Sequence, residues 1–165
     1  MDLDSQIMKQ TYILLLVETL QKKLEVMNQL LYLTKQQEEM FISDKIKDED
    51  FLELISLKEE QINNLSKLDD GFEKLFQSVK DELITDKGKY VSEITSLKDL
   101  IVKITDLSVN LQALEKRNKT KVEQHFSNRR KDIGTSRLSS TTVANYYKTM
   151  TKQHEAQSYF YDKKN

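Results

Sequence analysis

Cysteine and proline are both absent from the 165 residues, and glycine occurs only three times. Without cysteine there is no disulfide and no thiol nucleophile, a composition that fits a reducing compartment. Without proline, and nearly without glycine, the chain lacks the turn residues that sheet-rich folds need, so an all-α fold is expected. An excess of one charge sign is also missing. The formal net charge is -1 although 32% of residues are charged, so no global attraction to nucleic acid or to an anionic membrane follows. Long apolar runs are missing too. "ILLLV", Ile13 to Val17, is shorter than the ~7–15 residues of a signal-peptide core and far from the ~20 of a spanning helix. The expectation is a soluble, cytoplasmic protein without membrane insertion.

Catalytic and metal-binding patterns are also scarce. His125 and His154 are the two histidines, and neither belongs to an E-x-x-H or H-E-x-x-H helix pair, so no metal site is expected. There is no G-x-S-x-G and no Gly-rich phosphate loop. The paired carboxylates Glu59–Glu60 and Asp69–Asp70 read as parts of a solvated helix face. No catalytic residue and no cofactor is expected.

What the sequence does contain is helical periodicity, in three segments. In the first, residues 4–43, Ile13, Leu16, Leu20, Leu24, Met27 and Leu31 alternate three- and four-residue steps, the seam of a helix packed lengthwise on another. Gln21, Lys22, Lys23, Glu25 and Gln29 make its solvated face. The second, residues 49–84, carries Phe51, Ile55, Ile62, Leu65, Phe72, Leu75, Val79 and Leu83, with Lys58 filling one seam position. Asp48 or Asp50 is expected to cap it. The stripe stays in phase across Gly71, which predicts an unbroken helix there. "ITDKGK", residues 84–89, marks the clearest break, with Gly88 suited to the left-handed conformation that ends a helix.

The third segment, residues 90–132, holds Tyr90, Ile94, Leu97, Ile101, Ile104, Leu111, Leu114, Val122 and Phe126, although "TSLKD" from Thr95 is an equal starting signal. Rods of this length, at ~1.5 Å per residue, span roughly 50 Å. They predict an elongated, coiled-coil-like, antiparallel three-helix bundle over residues 1–133. Residues 134–165 lack an apolar stripe and are expected to be a flexible tail. Two aromatic clusters, Tyr146–Tyr147 and Tyr159–Phe160–Tyr161, set that tail apart from a plain solubilising one. A bundle of three helices leaves part of a stripe uncovered. The distal third helix, where Lys119 and Lys121 interrupt the stripe, is the expected place: a half-apolar, half-basic groove for an amphipathic partner helix.

Several stretches resemble segments of known proteins. "LLVETLQKKLEVMNQLLYLTKQQEEM", Leu15 to Met40, resembles the N-terminal helix of the FlgN family of flagellar export chaperones. "DEDFLELISLKEEQINNLSKLDD", Asp48 to Asp70, is similar to the second helix of that family. "TSLKDLI" and "LQALEKRNKTKVEQHF" resemble the third, in which Leu111, Leu114, Asn118, Val122 and Phe126 fit the leucine–asparagine pattern. Glu115 stands where the family has its first asparagine, and Lys121 replaces an apolar residue. "SYFYDKKN" resembles the family's aromatic–aspartate–basic ending.

The resemblance implies a cytosolic chaperone of flagellar type III export. Its clients would be the hook–filament junction proteins, bound by their C-terminal helices and delivered to the cytoplasmic domain of the export gate. Leu111, Leu114, Val122 and Phe126 would form the apolar floor for the client, and Asn118 would hydrogen-bond it. Tyr146 and Tyr147 would dock on the gate, unless one aromatic cluster folds back over the groove. Two other classes stay open: a self-associating structural or tethering coiled coil, and a nucleic-acid binder using Lys116, Arg117, Lys119, Lys121, Arg129, Arg130 and Lys131. The overall charge balance favours a protein partner and no nucleic acid.

Overall fold

The computed structural model describes residues 2–42, 46–129 and 144–150. Three long helices dominate: α1 (Leu3–Ile42), α2 (Asp48–Thr85) and α3 (Val91–Arg129), with a single 3-10 turn, Lys87–Lys89, between the last two. Residues 144–150, within the stretch expected to be a flexible tail, are also helical. Among the described residues there is no strand, so the fold is all-α. No helix among them is long and apolar enough to cross a membrane.

Side-chain pairs give the helix directions. Lys9 meets Glu82 and Lys23 meets Asp69, and Lys58 meets Gln37. Partners on α2 therefore descend as those on α1 climb, as in antiparallel neighbours. Thr34 lies beside Glu115 and Asn118, and Phe41 lies beside His125, so α3 runs with α1. The backbones of α2 and α3 scarcely approach each other, whereas α1 packs along both. α1 is the shared wall of the fold, and α2 and α3 lean onto it.

That arrangement explains which positions are buried. On α1 they are Ile13, Leu16, Leu20, Lys23, Met27, Leu30, Thr34 and Gln37, a strict alternation of three- and four-residue steps, the spacing of a coiled-coil seam. Lys23 is therefore not part of the solvated face. Leu24 and Leu31 are only half-buried, while Leu30 is buried. On α2, Asp69 likewise lies on the seam rather than on a solvated face, and Lys58 is buried as its place in the stripe implies. Lys23 Nζ reaches Asp69 Oδ1 at 2.5 Å, so each charge pairs with the other where water is excluded. Around these polar positions, Ile13, Leu16, Leu30, Ile55, Ile62 and Val79 are fully enclosed. Each large aliphatic side chain stabilises the fold by roughly 1.5–3 kcal/mol relative to exposure.

The helix ends differ in detail from the sequence expectation. α2 begins after Lys47, which has extended φ and ψ and no side-chain cap. Asp48, Glu49 and Asp50 occupy the first turn instead, where carboxylates meet the positive end of the helix dipole. At the other end, Asp86 N–H donates to Glu82 O at 2.8 Å, and Lys89 and Tyr90 N–H groups donate to Asp86 and Lys87 carbonyls at 2.9 and 3.2 Å. This 3-10 hydrogen bonding turns the chain without a left-handed residue at Gly88. α3 then starts at Val91, one residue after the earlier of the two expected starts.

Gly71 sits inside uninterrupted α2, and an added Cβ would meet nothing within 4 Å. Gly71→Ala is expected to stabilise the protein by about 0.5–1 kcal/mol. In urea unfolding the midpoint should rise with an unchanged slope.

Candidate functional site

In the C-terminal halves of α1 and α3, polar residues interrupt the apolar seam. Thr34, Gln37, Lys58, Glu115 and Asn118 are all buried, and each faces inward because heptad spacing places it on the seam of its helix. The centre of this cluster is an ion pair between Lys58 Nζ and Glu115 Oε1, linking α2 to α3. Lys58 also donates to Gln37 Oε1 at 2.7 Å. The Thr34 hydroxyl lies 2.9 Å from Glu115 Oε1 and 2.7 Å from the Leu30 carbonyl, so one proton serves two acceptors. Asn118 Nδ2 donates to the Thr34 carbonyl at 3.0 Å.

Residues 144–150 complete the cluster. The Tyr146 side chain is fully enclosed. Its hydroxyl donates to Glu115 Oε1, and Lys58 Nζ lies 4.5 Å from the centre of its ring. Lys58 thus has Gln37, Glu115 and the negative face of an aromatic ring around one ammonium. Tyr147 packs edge-on against Tyr146, with ring centroids 4.9 Å apart. Its hydroxyl accepts from Gln37 Nε2 at 3.2 Å, and Lys119 Nζ lies 5.9 Å from its ring centroid. The short helix therefore rests on all three long ones. Two acceptors remain: among the described residues, Glu115 Oε2 and Asn118 Oδ1 are buried without a hydrogen-bond donor.

The residues expected to floor a client groove fall into two groups. Leu111, Val122 and Phe126 belong to the hydrophobic core; Phe126 lies 5.7 Å from Phe51 across the fold, ring centre to ring centre. Leu114 is buried too, and Asn118 lies in the polar cluster. Tyr146 and Tyr147, expected to dock elsewhere, lie against that cluster. Of the basic strip, Arg117 faces Glu38 at 3.5 Å and Lys119 faces Glu123 at 4.0 Å. Arg130, Lys131, His154 and the Tyr159–Phe160–Tyr161 cluster lie outside the described residues. His125 Nε2 lies 3.8 Å from Asp48 Oδ1, and no group of residues that could hold a metal occurs among those described.

Sequence reading missed the joint role of Thr34, Gln37, Lys58 and Glu115. Lys58 at a seam position was a visible signal, and so was Glu115 next to Leu114. Which buried charge would meet which is not encoded in either periodicity. Compared with family models, curated proteins and solved structures, the chain finds no match in any of the three.

Burial governs the ionisation of this cluster. It lowers the Lys58 pKa from 10.5 to about 8, against the opposing attraction of Glu115. Burial, followed by the charge of Glu115, pushes the hydroxyls of Tyr146 and Tyr147 above the ordinary 10.0. Between about pH 8 and 10.5 the unfolded chain holds a Lys58 proton that the folded chain has released, so this group makes stability rise with pH. Above about pH 10 the folded chain holds tyrosine protons that the unfolded chain has lost, so the tyrosines make stability fall. Thermal melts should therefore show the parent chain gaining on Lys58→Met between pH 8 and 10. Above pH 10 it should lose ground to Tyr146→Phe/Tyr147→Phe. At pH 7, Lys58→Ala should cost about 3–5 kcal/mol, because it strands a buried carboxylate, whereas Lys58→Met combined with Glu115→Leu should recover most of that loss.

Proposed function

We propose that this protein is a cytosolic export chaperone of the FlgN type: an elongated, antiparallel three-helix bundle whose groove holds a C-terminal helical segment of a hook–filament junction protein. Holding it there prevents premature assembly before delivery to the flagellar export gate. The observation that carries this reading is Tyr146. Helical residues 144–150, from beyond α3, bury Tyr146 against Lys58 and Glu115, so the three long helices accept a further amphipathic helical segment. Support for the flagellar assignment comes from the ordered segments that resemble the FlgN helices, with Leu111, Leu114, Asn118, Val122 and Phe126 at the matching positions.

The mechanism follows from exchange of occupants. A client helix that covers more of the surface than residues 144–150 do removes more apolar area from water, at ~25 cal/mol per Å² before ordering costs. Its entry would lift residues 144–150 away and expose Tyr146 and Tyr147 for docking on the gate, coupling loading to delivery. Leu111, Leu114, Val122 and Phe126, all buried, then act as the packed support beneath the groove, with Asn118 in the polar cluster.

A self-associating coiled-coil subunit is the competing reading. It is favoured by Leu3, Ile7, Met8 and Leu14, which are exposed along the start of α1. A stable oligomer in sedimentation at low micromolar concentration would support it.

The decisive experiment is co-purification of the full chain with C-terminal fragments of hook–filament junction proteins. The expected result is a stable complex in which amides of residues 144–150 exchange faster than in the free chain. Tyr146→Ala/Tyr147→Ala should bind the fragments several-fold more tightly and the export gate more weakly. Absence of a complex with any such fragment overturns the proposal.

A further inference from the structure

The ion pair between Lys58 and Glu115 is completed by a group from outside the three long helices. One face of the Lys58 ammonium meets the Tyr146 ring, and Glu115 Oε1 takes the Tyr146 hydroxyl proton as a hydrogen bond. Both contacts are made by one side chain, and the two groups it meets are themselves almost fully buried. A phenylalanine at this place would keep the cation–ring contact and lose the hydroxyl donor. An aliphatic residue would lose both. Bonds of a hydroxyl to a buried carboxylate are among the stronger neutral-to-charged hydrogen bonds. The site therefore distinguishes a phenol from a plain ring.

We propose that the partner helix received by this groove presents a tyrosine to the subsite formed by Lys58 and Glu115, in the place now held by Tyr146. The inference rests on the groove being a site for partner helices, as argued above, and adds the chemistry by which a partner is chosen. It also accounts for how a partner outcompetes the resident segment. Glu115 Oε2 and Asn118 Oδ1 are buried acceptors that residues 144–150 leave without donors. A partner with a second donor, an amide or an ammonium within one turn of its tyrosine, satisfies an acceptor that the resident segment does not.

The test uses the full chain carrying Tyr146→Ala/Tyr147→Ala, which vacates the subsite, and a fluorescent synthetic peptide of residues 138–152 as probe. A second peptide carries Tyr146→Phe. A further pair places Tyr-Tyr or Phe-Phe in a helical host of alanine, glutamate and lysine. Saturable binding of the tyrosine peptides is expected, with the phenylalanine forms about tenfold weaker in both pairs. Equal affinity of tyrosine and phenylalanine forms, or no saturable binding, overturns the inference.

A measurement independent of the vacated variant is amide exchange of residues 144–150 in the full chain carrying only Tyr146→Phe. It should accelerate about tenfold, and an unchanged rate counts against the subsite. The outcome is separable from the flagellar reading. Equal affinities remove the tyrosine subsite even if junction-protein fragments bind. Tenfold discrimination without any junction-protein complex leaves the subsite standing for another helical partner.

Discussion

A lysine and a glutamate held together out of water, with four segments of chain closing around them, set the terms for this fold. Desolvating either charge alone costs several kcal/mol, and the pair repays that only with good geometry and filled hydrogen-bond positions. Here Lys58 comes from α2, Glu115 from α3, Thr34 and Gln37 from α1, and Tyr146 from the short helix beyond. Sliding α2 or α3 by a turn would leave a buried charge unmatched. The cluster thus fixes register in a way that interchangeable leucines along the same seam do not. A second pair, Lys23 with Asp69, pins α1 to α2 nearer the middle of each helix.

The unequal packing of the three helices gives that cluster its place. α1 contacts both neighbours along its length while α2 and α3 stay apart. Their side chains bridge the gap where they are long enough, as with Lys58 and Glu115 or Phe51 and Phe126. Residues 144–150 pack onto the Lys58–Glu115 bridge through Tyr146. Tyr146 fits that place because it combines an aromatic face for the Lys58 ammonium with a hydroxyl donor for Glu115. In this cluster the polar atoms are buried and mostly committed to one another.

Much of the architecture was legible from periodicity and composition. Helix limits expected at residues 4–43 and 49–84 lie within about a residue of those of α1 and α2, because apolar spacing is a local property that a helix must satisfy wherever it packs. Unbroken helix across Gly71 was readable for the same reason. Lys58 was recognisable as a charge in an apolar lane. Lys23 and Asp69 were not, since each had apolar neighbours one position away that made an equally good stripe: Leu24 beside Lys23, and Leu68 beside Asp69. Choosing Leu24 over Lys23 follows hydrophobicity, and alternating steps through Met27 then lead to Leu31 rather than Leu30, whereas the fold follows a seven-residue repeat shared with two partner helices.

The amino-acid sequence by itself determined that the chain is helical and where the long helices run. A period of three and four residues and the lack of proline are sufficient for those statements, because each depends on neighbours near in sequence. The tertiary structure alone decided that Lys58 finds Glu115, that Tyr146 caps both, and that α2 and α3 stand apart. Partners separated by tens of residues meet only once three rods have settled into one register. The desolvation of a charge is a property of everything that surrounds it, and no local stretch of chain contains that information.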